Sequence, residues 1–137
     1  RESDIVITCT GKITEPVFSR NWIKKGSLVM PVHTSGWTKD FPFVADKFIV
    51  DDWTQFYESN VKGDGYYSEL PDAPYAQLGQ IVAGMKPGRE NNNETILDHN
   101  YGLGLHDIAL CKELIKIAEK KNIGTVLTLM DTEKDIA

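Results

Sequence analysis

Thr95-Ile-Leu-Asp-His-Asn-Tyr-Gly-Leu-Gly-Leu-His-Asp107 decides how the rest of this sequence is read. A short apolar run stops at a polar Asp98-His99-Asn100 turn. Two glycines follow, and a helix-forming stretch begins. Upstream, Asp4-Ile-Val-Ile-Thr-Cys-Thr10 has the same form, a strand that breaks into a polar loop at its carboxyl end. Ile5, Val6 and Ile7 run without alternation, as strands of a parallel sheet covered on both faces do.

Working outward, Ser27-Leu-Val-Met-Pro-Val32 and Lys47-Phe-Ile-Val-Asp51 read as two further strands. Pro31 lacks an amide proton for a ladder, so the first of them bends or ends there. A short amphipathic piece from Pro16 to Ile23 closes on Lys24-Lys25-Gly26, and Gly26 suits a helix end. Thr95 to Leu97 is a short edge or central strand. Asp52 to Asn60 and Ala76 to Ala83 are helix candidates, Lys62 to Pro74 is a loop, and Gly84 to Asn93 is a surface turn. The helix from about Leu103 to Lys121 is the clearest. Leu105, Ile108, Cys111, Ile115 and Ala118 form a stripe at helical spacing, and Leu110, Leu114 and Ile117 widen it. That width predicts burial on more than one side, and Asn122 and Gly124 end the helix. Strand, short helix, strand, loop, strand is an α/β rhythm. It predicts a mainly parallel sheet with flanking helices and right-handed crossovers.

The 137 residues are one domain's worth, with 41% apolar and 26% charged residues. Such a length buries roughly two-thirds of its extended surface. Fifteen basic against 20 acidic residues give a net charge of -5. That balance argues against nucleic acid or an anionic membrane as the main partner. No apolar run reaches the roughly 20 residues of a membrane helix, and no signal peptide is visible. Cys9 and Cys111 lack a CxxC spacing and are expected as buried thiols in a reducing cytoplasm. The opening residue is Arg1 rather than Met, which leads us to expect that the natural amino terminus has been removed or lies upstream.

In an open parallel α/β sheet, ligands bind beyond the carboxyl ends of the strands. That rule selects Thr8-Cys9-Thr10-Gly11, His33-Thr34-Ser35-Gly36, Asp51-Asp52 and Asp98-His99-Asn100. Hydroxyl residues also form turns, so Thr8 and Thr10 are open to both readings. His33 and His99 lie just past strand ends, and an imidazole there can move a proton; each is equally readable as a hydrogen-bonded structural histidine. His106, early in the long helix, reads as packing or solvent-facing. A helix N-cap is the better reading of Asp51 or Asp52 than a carboxylate pair, because adjacent strand residues point to opposite faces. No zinc-ligand spacing occurs, and no metal site is expected. There is no GxSxG elbow. Gly63-Asp64-Gly65 and Gly102-Leu103-Gly104 do not make GxGxxG.

Four segments, in order, carry a resemblance. They are Ser3 to Thr10 with Glu15-Pro16-Val17, Trp22 to Val32, Ile81-Val-Ala-Gly84-Met-Lys-Pro-Gly88-Arg89, and Glu94 to Asp107. Together they resemble the ornithine cyclodeaminase and mu-crystallin family from about Ser3 to Gly124. The resemblance implies that the chain is the carboxyl-terminal portion of a Rossmann-like domain binding NAD or NADP, its glycine-rich first half being outside the chain. It implies a small amino-acid or α-imino-acid substrate. The implied chemistry, for the full-length protein, is that of a dehydrogenase, ketimine reductase or cyclodeaminase. A non-catalytic mu-crystallin-like binder of small ligands is the alternative. By position, Thr8, Cys9 and Thr10 would line the ribose and pyrophosphate. Val32, His33 and Thr34 would lie near the nicotinamide, and Asn100 would approach its amide. Ser35 stands where cyclodeaminases and related alanine dehydrogenases carry an aspartate, and it cannot act as a carboxylate base. His33 or His99 is then the expected acid–base group. A cytoplasmic homodimer is implied for the full-length protein. An incomplete sheet would leave an open edge along Asp4 to Thr10.

Overall fold

The computed structural model describes residues 2–11, 13–32, 35–62 and 65–127, which fall into two compact units, Arg1–Leu103 and Gly104–Ala137. The first unit is built on β1 (Ile5–Thr8), β2 (Leu28–Pro31), β3 (Lys47–Val50), β4 (Ala76–Gln77) and β5 (Ile96–Asp98). Every pairing is parallel, in the order β1-β2-β5-β3-β4. The last strand in sequence is therefore central, between β2 and β3. Its register sets Leu97 beside Val29 and beside Phe48.

The core follows from those neighbours. Val29, Phe48, Val50 and Leu97 from the strands meet Trp37, Phe41, Phe56 and Tyr67 from the connections. Leu97 and Phe56 are fully buried, each burial contributing about 1.5–3 kcal/mol. The aromatic rings meet at tilted or edge angles, Phe56 against Phe48 at 5.6 Å and Trp37 against Phe41 at 5.3 Å, the arrangements that ring quadrupoles favour.

Among the described residues, three short α-helices join the strands. In α1 (Phe41–Val44), Pro42 sits in the first turn, where a missing N–H costs nothing. In α2 (Trp53–Tyr57), Asp52 is the N-cap, its Oδ1 accepting from the Gln55 amide at 2.7 Å. This helix widens into a π turn at Glu58–Lys62. α3 (Leu78–Val82) follows directly on β4, so the piece expected as one helix begins as a strand. The Tyr75 amide donates to the Phe48 carbonyl at 2.8 Å, and this ladder draws the first two residues into the sheet.

The fully buried strand β3 opens on a lysine. Lys47 Nζ meets the Gly88 carbonyl at 2.5 Å, Glu90 at 2.6 Å and Glu94 at 3.2 Å. Burial works against its charge, yet the two glutamates hold its pKa above the ordinary value. The contact ties the turn around Gly88 to the start of the strand.

Several expectations need correction. β1 lies at the sheet edge as expected, but it is not covered on both faces. Val6 is half-buried and Thr8 buried, whereas Ile5 and Ile7 are more than half exposed. Described by itself, α4 (Gly104–Lys121) carries no buried residue along its apolar stripe. Cys9 and Cys111 are both exposed free thiols, the first just past the edge strand and the second on that helix. Among the described residues no helix is long and apolar enough to cross a membrane.

Gly26 is the residue the strand entry cannot replace. Its φ is +86°, and an added Cβ would stand 2.1 Å from the Asn92 carbonyl oxygen. Gly26→Ala combines left-handed strain with a backbone clash, and we expect it to cost roughly 2–4 kcal/mol. Urea unfolding read by tryptophan fluorescence measures this, and an unchanged midpoint would refute the close approach.

Candidate functional site

Because all five strands are parallel, their carboxyl ends share one edge of the sheet, and the polar turns collect there. Thr8 ends β1 and is buried, with its Oγ1 accepting from Trp37 Nε1 at 3.0 Å. Cys9 and Thr10 beyond it are exposed, as is Val32 beyond β2. Ladder hydrogen bonding continues one step past Pro31, the Val32 amide donating to the Thr8 carbonyl at 2.9 Å. His33 and Thr34 lie outside the described residues.

Ser35 is buried, and its Oγ accepts from the Ile13 amide at 2.9 Å. The hydroxyl thus holds the loop after β1 against the loop after β2. His99 is 1% exposed, its ring edge-on to Phe56 at 5.0 Å and to Tyr67 at 5.8 Å, while its backbone amide donates to the Ile49 carbonyl.

The turn after β5 is fastened by several side chains. Asp51, at the end of β3, is buried. Its Oδ2 accepts from the Gly102 amide at 2.6 Å and its Oδ1 from the Asp52 amide at 2.9 Å. Gly102 has a φ of +90°, a backbone that a side chain would strain. Asn60, buried in the π turn, donates from Nδ2 to Tyr101 Oη at 3.0 Å and to the Phe56 carbonyl at 2.9 Å. Asn100 donates from Nδ2 to Asp98 Oδ1 at 3.0 Å. Three side chains from three elements therefore fix residues 100–102.

Among the described residues, Asn100 Oδ1 and Tyr67 Oη are buried here without a hydrogen-bond partner. Leaving such an atom unpaired costs roughly 1–3 kcal/mol. Burial pushes the Tyr67 phenol upward. Burial also raises the Asp98 carboxyl above its ordinary value; the Asn100 hydrogen bond offsets part of the rise and the Asp51 carboxylate adds to it.

Of the residues singled out from the sequence, Thr8, Ser35, His99 and Asn100 lie at this edge in buried or half-buried positions, and Cys9, Thr10 and Val32 in exposed ones. Asp98 and Asp51 fall within the strand-end turns, but the sequence assigns neither of them the role seen here. Their bonds to Asn100 and Gly102 depend on the sheet order. The only trace in the sequence is an aspartate ending each of two apolar runs. Among the described residues no group of three or more His, Cys, Asp or Glu could hold a metal ion.

These residues fit part of a nicotinamide cofactor. Asn100 Oδ1 offers an unused acceptor, and Cys9, Thr10 and Val32 leave the strand ends open. No GxGxxG occurs in the chain to cradle its pyrophosphate.

Comparison with known proteins shows the family and the fold. The profile of the ornithine cyclodeaminase/mu-crystallin family matches residues 1–122. Nodulation efficiency protein NfeD of Rhizobium meliloti is 30% identical over 93% of this chain and 40% of its own length. The N-((2S)-2-amino-2-carboxyethyl)-L-glutamate dehydrogenase of Staphylococcus aureus is 34% identical over 92% of this chain and 38% of its own. The Thermococcus litoralis Delta(1)-pyrroline-2-carboxylate reductase, solved with NADH and L-proline, superposes with a TM-score of 0.66 at 26% identity. That match covers 92% of this chain and 41% of the reductase. The chain spans about two-fifths of the length of the relatives it matches.

The raised Asp98 carboxyl has a sign that can be tested. Its unfolded form ionises first as pH rises from the ordinary value of 3.8, so folded stability falls through that window and the loss is complete above the folded pKa. Asp98→Asn lacks this titration. Its stability relative to the unsubstituted chain is expected to improve as pH rises through the window, as read from urea midpoints across the acid range. A difference independent of pH would show that Asp98 does not titrate abnormally.

Proposed function

The chain belongs to the ornithine cyclodeaminase/mu-crystallin family, and on that premise we propose that the whole protein binds NAD or NADP and converts an amino acid to or from its α-imino acid. The observation that carries this reading is the unpartnered acceptor of Asn100, buried at the carboxyl end of a central parallel strand. When bound, the nicotinamide supplies hydride exchange at the carbon bearing the amino or imino nitrogen.

The chain's own residues would then divide the work. Thr8, Cys9 and Thr10 line the ribose and pyrophosphate, with Cys9 and Thr10 exposed for contact and Thr8 held by Trp37. Val32, His33 and Thr34 lie beside the nicotinamide, and Asn100 Oδ1 accepts from its carboxamide. Proton movement falls to His33. That assignment is supported by the enclosure of His99 between Phe56 and Tyr67 and by the engagement of Ser35 with the Ile13 amide. Ser35 thus serves by holding the loop and not as a base.

Two relatives support a narrower reading of the substrate. The Staphylococcus aureus dehydrogenase is named for a compound whose α-nitrogen joins two carbon skeletons, and the Thermococcus litoralis structure holds L-proline. In both, that nitrogen is a secondary amine. We place secondary α-amino acids and their imines first among the substrates, acted on by a cytoplasmic homodimer of the whole protein. A cofactor-dependent binder without turnover is the second reading; Ser35, standing where the family resemblance implies an aspartate, fits it equally well.

NADH and NADPH fluorescence titrations test the reading on the whole protein and on this 137-residue chain. We expect binding by the whole protein and weak or no binding by the chain, which lacks the glycine-rich phosphate loop. Reduction of a cyclic imino acid by the whole protein supports the enzyme. Binding without turnover across amino and imino acids supports the binder. Failure of the whole protein to bind either nucleotide overturns both.

A further inference from the structure

Asn100 has an amide that can present either its oxygen or its nitrogen to a ligand, and the two ends have opposite hydrogen-bonding character. Its Nδ2 is taken by Asp98 Oδ1 at 3.0 Å, and its Oδ1 is buried without a partner. An ionised carboxylate only accepts, so it can hold the nitrogen end and repels the oxygen end. Asp98 is itself fixed. It closes a central strand, is 8% exposed, and pairs in register with Ile49 of β3. The Asn100–Gly102 turn has little freedom to escape this arrangement, because Asp51 holds the Gly102 amide and Asn60 holds Tyr101.

We propose that Asp98 is a positioning residue, which takes the Asn100 nitrogen so that the Asn100 oxygen is the end offered to the carboxamide N–H of the nicotinamide. This rests on the nicotinamide reading above and adds to it the group that selects the amide's orientation. Asp98 touches neither cofactor nor substrate and acts only through Asn100. Burial, which raises its carboxyl, makes the lock effective once the carboxylate has formed; Asp51 is the charged neighbour that acts on the same group. Such a fixed acceptor separates a ring carrying a carboxamide from one carrying a group without N–H, because the second leaves the buried oxygen unpaired.

The test compares NADH with the reduced acetylpyridine analogue, whose ring bears a methyl ketone in place of the carboxamide. Affinities are measured on the whole protein, above the pH at which Asp98 ionises. We expect the unsubstituted protein to prefer NADH by about tenfold, the worth of one hydrogen bond in a buried site. Asn100→Ala and Asp98→Leu should both reduce that preference to near unity. A merely structural loss would weaken both nucleotides alike and leave the ratio unchanged. If Asn100→Ala abolishes the preference and Asp98→Leu keeps it, the role of Asp98 is overturned and that of Asn100 stands. Equal affinity in the unsubstituted protein, or no binding at all, overturns the nicotinamide contact and this inference with it.

A second measurement is independent of cofactor and of the stability of Asp98→Leu. In NMR spectra of this chain, the Asn100 side-chain amide protons, assigned by their loss in Asn100→Asp, should shift with pH along the titration of the Asp98 carboxyl carbon. Their indifference to that titration would overturn the proposal.

Discussion

Everything at the candidate site depends on where β5 lies. This strand has three residues, and it takes ladder partners on both sides, β2 through Leu28 and Val29 and β3 through Lys47, Phe48 and Ile49. A strand so short gains its stability from being central: Ile96, Leu97 and Asp98 are all buried, and parallel sheets are stable only when covered. Its placement brings residues distant in sequence to one another at both of its ends. Beyond the carboxyl end, Asp51 reaches Gly102. At the entrance, the Thr95 amide donates to the Asp46 carboxylate.

The buried polar bonds of this edge differ in kind from the apolar packing beneath it. Leu97 and Phe56 need only shape and volume. Asp51, Asn60 and Asp98 need particular donors or acceptors at particular distances, and each finds one on the turn that follows β5. A buried polar group left unmatched is costly, so satisfied networks restrict the backbone to one arrangement. Among the described residues Asn100 Oδ1, like Tyr67 Oη, therefore stands out against the pairing of Asp51, Asn60 and Asp98.

How far the sequence can be read follows the same division. Continuous apolar runs at Ile5, Leu28 and Phe48 announce parallel strands, and Pro31 announces the end of one, because these signals are local. Asp52 is readable as a cap for the same reason, since its bond reaches only to Gln55. β4 is not, because two residues adopt the strand only through pairing with β3. Nor are the roles of Asp51 and Ser35, whose partners Gly102 and Ile13 lie far along the chain and come close only once the sheet order is known. The exposure of Ile5 and Ile7 escapes the sequence for a related reason: an uninterrupted apolar run specifies a strand that can be covered on both faces, not what covers it. The long helix shows the same limit: its period is legible in the sequence, and what would cover its apolar stripe is not.

The central place of the last strand also bears on the order in which the protein can be made. β2 and β3 are complete in the nascent chain well before residues 96–98 have been added, and neither pairs with the other, because the gap between them awaits β5. At about 5–20 residues per second, the two edges that flank this gap stay open for seconds during synthesis. The surface turn around Gly88, tied to Lys47 by Glu90 and Glu94, is then more than a connection. It is the piece positioned to bring the closing strand to the one slot left for it, before those open edges find a strand from another chain.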